Sequence, residues 1–311
     1  MGKLILDRFL ASIPVLISIL LITFSLKAML PTDAANAMFE GKLSDTDAAQ
    51  AIAAIRERYG LNLPWYKQFG TYVVHLASGD LGESIRTRRP VAEEVGYRYW
   101  NTLKLTFAAL SLALLIGVVT GVVSAYRKGS WLDVSSMTVS LVGISMPAFF
   151  FGICLILIFS VWLRWLPVIP HGYWAIVMPA LTLGLIEAAP LARLMRSNIL
   201  DVLGRDYIRA ARANGASERD ILFRHALPNS LLPVITLVGL QFGNLLGGAF
   251  VIEIVFGWRG IGELAVNAIK WRDFPLLQAI VLIGAATYLI INLVTDVLYA
   301  WIDPRISYGS S

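Results

Sequence analysis

The sequence predicts an all-helical membrane protein with six transmembrane spans. Two observations carry this expectation. The chain of 311 residues is 57% hydrophobic and only 15% charged, where soluble domains usually carry about 25% charged residues. Its apolar residues also come in blocks, and six of these approach the roughly 20 residues that a helix rising about 1.5 Å per residue needs to cross about 30 Å of hydrocarbon.

The first block, 9–30, follows Lys3 and Arg8 and is uncharged up to Leu26, with Lys27 able to reach the far interface. Ala35-Asn36-Ala37 resembles a leader-peptide cleavage site. The apolar run exceeds the usual length of about 7–15 residues, which favours a retained helix that doubles as an anchor. The second block is 105–125. The third, 134–163, contains Pro147 and is expected to kink or tilt. The fourth, 173–194, contains Pro179, Glu187 and Pro190; the fifth is 230–252 and the sixth 276–302.

Six spans place both termini on one side, and charge chooses the side. Segments 1–8, 126–133, 193–229 and 303–311 hold twelve Lys and Arg, against four in 164–172 and 253–275. The first group, termini included, is therefore expected in the cytoplasm. The same placement accounts for the net charge of +5 and pI of 9.3 without nucleic acid, because the basic residues lie between apolar blocks. One cysteine, Cys154, excludes an internal disulfide, and three widely spaced histidines give no metal-site pattern.

Residues 31–100 read as a small helical cap outside the membrane. Ser44-Asp45-Thr46-Asp47 has a capping-box form that would open a helix to Tyr59, with Gly60 as its stop. Pro64 can start a second helix, with Trp65, Phe69, Val73 and Leu76 as its apolar stripe. Gly79-Asp80-Leu81-Gly82 reads as a turn, and Pro90 as the start of a third short helix leading into the second span. The organisation is thus 1–30, terminus and first span; 31–100, cap; and 101–311, a five-helix core containing the cytoplasmic segment 196–229.

That segment is too polar to span and too patterned to be a linker. Residues 207–213 are largely good helix formers, Asn214-Gly215 is a helix stop, and Ser217-Glu218-Arg219-Asp220 is a second capping box. It opens a helix carrying Ile221, Leu222 and Ala226 and ending near Pro228. A helix, a glycine elbow and a helix can dock in a partner's groove. The same arginine-bearing helix can also rest on anionic lipid.

Arg209-Ala210-Ala211-x-x-x-Gly215, followed by His225-x-Leu227-Pro228, resembles the loop motif of ATP-binding-cassette importer permeases. Arg209 and His225 depart from the general motif in the manner of the branch that imports oligopeptides, dipeptides, glutathione or nickel. Gly79-Asp80-Leu81-Gly82, Arg89-Pro90-Val91, Asp206-Tyr207-Ile208-Arg209, Arg272-Asp273-Phe274-Pro275 and Asp303-Pro304-Arg305-Ile306 are similar to that branch. So is Glu253-x-x-Phe256-x-Trp258-x-Gly260-x-Gly262, although Arg259 stands where the branch has proline.

The resemblance implies the type I importer permease fold in a bacterial inner membrane, with 31–100 as an extracytoplasmic insertion. It implies four kinds of partner: lipid, a second similar permease, two P-loop ATPase subunits and a periplasmic substrate-binding protein. ATP and magnesium would sit on the ATPases, and this chain, which lacks a Walker A pattern, would be no enzyme. Asp206, Tyr207, Arg209, Ala210, Ala211, Arg212, Gly215, Ser217, Leu227 and Pro228 would form the ATPase-coupling surface; Arg196 and Arg205 are left to topology.

For the transport path the candidates are Glu187, Gln241, Gly243, Asn244 and Gly247. An acid at membrane depth faces protein or water, though Glu187 could equally satisfy backbone groups near Pro179 and Pro190. Gly239, Gly243 and Gly247 form a small-residue stripe that suits either the pathway or plain helix packing, and Gly117 and Gly121 read as packing. The rivals are an ATP-independent secondary transporter or channel, which would often show two related halves, and a membrane enzyme, which would need clustered catalytic groups.

Overall fold

The computed structural model describes residues 2–29, 53, 57, 62–167 and 172–302. The expected helix opening at 44–47, its stop at Gly60 and the motif at 303–306 lie outside these residues.

Apart from one isolated β-bridge, Glu83 to Pro90, the regular structure of the described residues is helical. In chain order the helices are α1 (Gly2–Met29), α2 (Trp65–Ala77), α3 (Val91–Tyr126), α4 (Trp131–Ser145) and α5 (Ala148–Ile156), which runs into a π-helical turn, Leu157–Trp162. After a 3-10 turn, Gly172–Ile176, come α6 (Val177–Leu203), α7 (Asp206–Ala213) and the short α8 (Glu218–Asp220). A π-helical turn, Ile221–Ala226, leads into α9 (Leu227–Gly248), followed by α10 (Phe250–Val255), α11 (Ile261–Trp271) and α12 (Phe274–Ile302).

Four stretches among the described residues are long and apolar enough to cross a membrane: Val91–Tyr126, Trp174–Leu203, Glu218–Leu246 and Phe274–Val297. The pair α4 and α5 makes a fifth if counted as one span, and α1 contains a shorter apolar stretch, Leu10–Ser25.

Three expectations are revised. No separate helix follows Pro90: residues 91–126 form one continuous helix, because 91–105 contains no proline and one interior glycine, Gly96, is tolerated. The third span is broken rather than kinked. Met146 is extended (ψ 130°), as a residue before proline tends to be, and the two halves diverge by 108°. Pro228 does not end a helix but sits in the first turn of α9. The π turn before it pairs the Leu227 amide with the Leu222 carbonyl, and this wider register makes room for a ring that would otherwise meet the preceding turn.

The chain divides into two compact units. One comprises Met1–Ile5, Thr102–Trp258 and Ile290–Ser311. Its core has two clusters, one around Leu191, Met195, Ile199, Ile208 and Ile221, the other around Leu105, Met178, Phe242 and Ile252. Glycines let its helices close up. A Cβ on Gly117 would lie 2.6 Å from Leu191 Cβ, and one on Gly239 would lie 2.2 Å from Thr295 Oγ1.

The other unit comprises Leu6–Asn101 and Arg259–Leu289. Val91, Val95, Ile261, Leu264 and Leu276 form its core. The expected turn at 79–82 is present, with Gly79 and Gly82 at φ 80° and 77°. Asp80 Oδ1 accepts from the Gly82 amide at 2.8 Å and Oδ2 meets His75 Nδ1 at 2.9 Å. These bonds, His75 first, hold the Asp80 carboxyl below the usual carboxylate range.

Asp273, buried, caps α12. Its Oδ1 accepts from the Leu276 amide at 3.3 Å, while Oδ2 accepts from Ser84 Oγ at 2.5 Å and the Arg86 amide at 3.1 Å. Asp273→Ala strands all three donors. It should cost about 2–4 kcal/mol, from a lost cap and unsatisfied buried groups. Thermal unfolding of the detergent-purified protein measures this, with Asp273→Asn expected to lose much less.

Candidate functional site

The helix–elbow–helix expected between residues 206 and 228 is present, and its shape comes from local chemistry. α6 ends at Gly204, Arg205 swings to an extended conformation (ψ 152°), and α7 begins at Asp206. Only Ile208 of α7 is fully buried; it joins Ile199, Val202, Ile221 and Leu222 in the core. Asp206, Tyr207, Arg209, Ala210 and Arg212 are exposed and Ala211 is half-buried. An eight-residue helix is thus pinned by one side chain and turns its remaining surface outward.

The elbow closes α7 with a Schellman pair. The Gly215 amide donates to Arg212 O at 3.0 Å and the Ala216 amide to Ala211 O at 3.1 Å, with Gly215 left-handed at φ 83°. Ser217 Oγ then caps α8 by accepting from the Asp220 amide at 3.1 Å. Arg212 clasps Glu218 across the elbow through Nε to Oε1 (2.6 Å) and Nη2 to Oε2 (3.0 Å). Both groups are exposed, so this pair sets geometry more than stability. Phe223 is 51% and Tyr207 42% exposed, giving the polar surface two aromatic points. Leu227 is half-buried and Pro228 exposed.

Two of the path candidates meet. Gln241 is buried, and its Nε2 donates to the Glu187 carbonyl at 3.0 Å. Gln241 Oε1 has no partner among the described residues. Glu187 is half-buried, Gly243 buried and Asn244 exposed, while Gly247 lies on α9. The contact between Gly239 and Thr295 gives that part of the stripe a packing role.

Sequence reasoning left Arg196 to topology alone. In the structure it forms a two-pronged ion pair with Asp133 of α4, 2.7 and 2.9 Å long. It also gave Glu253 no role of its own. Glu253 is fully buried and accepts from Thr102 Oγ1 at 2.6 Å. Its sequence signals were its place at the end of an apolar run and at the head of the 253–262 motif. Among the described residues no three His, Cys, Asp or Glu side chains gather as metal ligands.

Residues 117–308 match the family model for the inner membrane component of binding-protein-dependent transport systems, and residues 1–108 match the companion model of its N-terminal part. The chain belongs to this permease family. The permease is 43% identical, over 98% of both chains, to the glutathione transport system permease protein GsiC of Escherichia coli (strain K12). The GsiC of Salmonella typhimurium (strain LT2) matches at the same identity and coverage.

Among solved structures, the inward-facing MetNI methionine ABC transporter aligns with a TM-score of 0.56 at 18% identity, covering 66% of the permease and 94% of that chain. An amino acid ABC transporter with histidines aligns with a TM-score of 0.52 at 18% identity, over 69% and 95%. These likenesses establish the importer-permease fold. The permease is a membrane-spanning subunit of an ATP-binding-cassette importer.

Proposed function

We propose that this permease forms half of the translocation pathway for glutathione, a peptide or a similar small solute, and that residues 206–228 seat in a groove of an ATPase subunit. The observation that carries the docking reading is the elbow itself. Its backbone is fixed by a Schellman pair, a serine cap and the Arg212–Glu218 clasp, yet α7 buries one side chain and leaves Asp206, Tyr207, Arg209 and Ala210 available. A rigid element with a free polar and aromatic face suits a protein groove.

The full assembly of this reading has six spans per permease with both termini cytoplasmic, and residues 31–100 as a cap on the periplasmic side. A second permease, two P-loop ATPases holding ATP and magnesium, and a periplasmic binding protein complete it. The high similarity to glutathione permeases supports a peptide-like substrate carrying free carboxylates.

Gentle-detergent purification of tagged permease, with mass spectrometry of the co-purifying chains, tests the assembly. Recovery of a second permease and two P-loop ATPases is expected, and uptake into vesicles should cease without ATP. A chain that purifies alone and still transports without ATP would sink the proposal in favour of a secondary transporter. Competition of labelled glutathione uptake by dipeptides then ranks the substrates.

A further inference from the structure

Asp133, near the start of α4, is 3% exposed, and its carboxylate gathers donors from three other elements. Arg196 of α6 donates through Nε to Oδ1 at 2.7 Å and through Nη2 to Oδ2 at 2.9 Å. Ser124, near the end of α3, donates its hydroxyl to Oδ1, and the Gly129 amide in the α3–α4 turn donates to Oδ2 at 2.9 Å. A two-pronged guanidinium–carboxylate pair fixes orientation as well as distance.

Beyond this clamp α4 packs along α6, where a Cβ on Gly143 would lie 3.8 Å from Ala189 Cβ. A cavity of about 430 Å³ opens along them, lined by Ser140, Gly143 and Met146 of α4 and by Leu185 and Ala189 of α6. At its other end α4 stops at the extended Met146 before Pro147, where α5 leaves at 108°. So α4 is clamped to α6 at one end and broken from α5 at the other. Arg196 lies seven residues before the end of α6, and only Gly204 and Arg205 separate α6 from the elbow.

We infer that Asp133 and Arg196 are positioning residues for transport: the pair passes displacement of the elbow through α6 to α4, which swings about the 146–147 hinge. This rests on the docking reading of the elbow. The pair ties α4 to the same helix that leads into the elbow, seven residues from its end, so a shift of α6 carries α4 with it.

The test uses the whole transporter in vesicles and reads solute moved per ATP hydrolysed. Arg196→Lys keeps the charge and loses the fork; Arg196→Gln loses both. Each should lower that ratio, by about fivefold or more for Gln, within the range of measured coupling effects. Assembly and the melting temperature should change little for Lys.

A normal ratio in both variants, or lost assembly with a normal ratio in the surviving complexes, would overturn the inference. Should neither variant fold, spin labels at Leu115 and Leu141, exposed positions on α3 and α4, in a Cys154→Ser background decide. Their separation must change on nucleotide-driven closure of the otherwise unaltered transporter, and a constant separation refutes the lever. Failure of the docking reading is recognised separately, because a Gly215 variant would then also transport normally.

Discussion

Gly215→Pro should lower transport by the assembled importer by an order of magnitude or more while leaving the permease inserted in the membrane. Gly215 sits at φ 83°, where proline, locked near −65°, cannot follow. The substitution also deletes the amide that donates to Arg212 O. Together these cost about 3 kcal/mol or more locally, enough to undo a two-turn helix pinned by one buried residue. Insertion should survive, because Ile208 is the one fully buried side chain that α7 adds to the core cluster around α6.

Gly215→Ala keeps the amide and incurs only the left-handed strain of about 1–2 kcal/mol, so its loss should be smaller. The graded pair is read as uptake and ATP hydrolysis in reconstituted vesicles. Full uptake by the proline variant would remove the elbow from the coupling route. A charge at position 211 is a less clean probe, because Ala211 is half-buried; Ala210→Glu places the charge on exposed surface and tests docking without disturbing the core.

The elbow was legible in the sequence because its determinants are local. Asn214-Gly215 and Ser217 specify stop and start within a few residues, and the backbone obeys them. The membrane character and four of the spans were legible for a similar reason: length and apolarity are properties of one continuous segment. What was not legible depends on distance or on register. Asp133 and Arg196 lie 63 positions apart and Thr102 and Glu253 lie 151 apart, so no local pattern links them. Arg196 was further hidden because a cytoplasmic charge bias already accounted for it. Pro147 announced a break, but a proline in the sequence does not specify the 108° between α4 and α5. Pro228 was misread because the rule that proline stops a helix assumes regular spacing, and the π turn before it changes that spacing.

Close helix packing inside the permease yields the second large effect. α3 meets α6 through Gly117 and Gly121, one turn apart on the same face. A Cβ on Gly121 would stand 2.6 Å from Met195 Cβ and 2.7 Å from the Ala192 carbonyl. The carbonyl belongs to helix backbone and cannot rotate away, so α6 itself must shift. Gly121→Val should therefore destabilise by about 1–3 kcal/mol or more, the cost of overpacking a filled interface, and lower the yield and melting temperature of folded protein.

Gly96, on the same helix, supplies the contrast. Nothing lies within 4 Å of the Cβ it would gain, so Gly96→Ala should stabilise by about 0.5–1 kcal/mol through helix propensity alone. Opposite signs for the two glycines would show that contact with α6, rather than glycine content, governs α3. Met195, the residue Gly121 presses on, immediately precedes Arg196. A Gly121 variant that still folds should therefore displace the Asp133 clamp as well, and lower the solute moved per ATP in the same direction as Arg196→Gln.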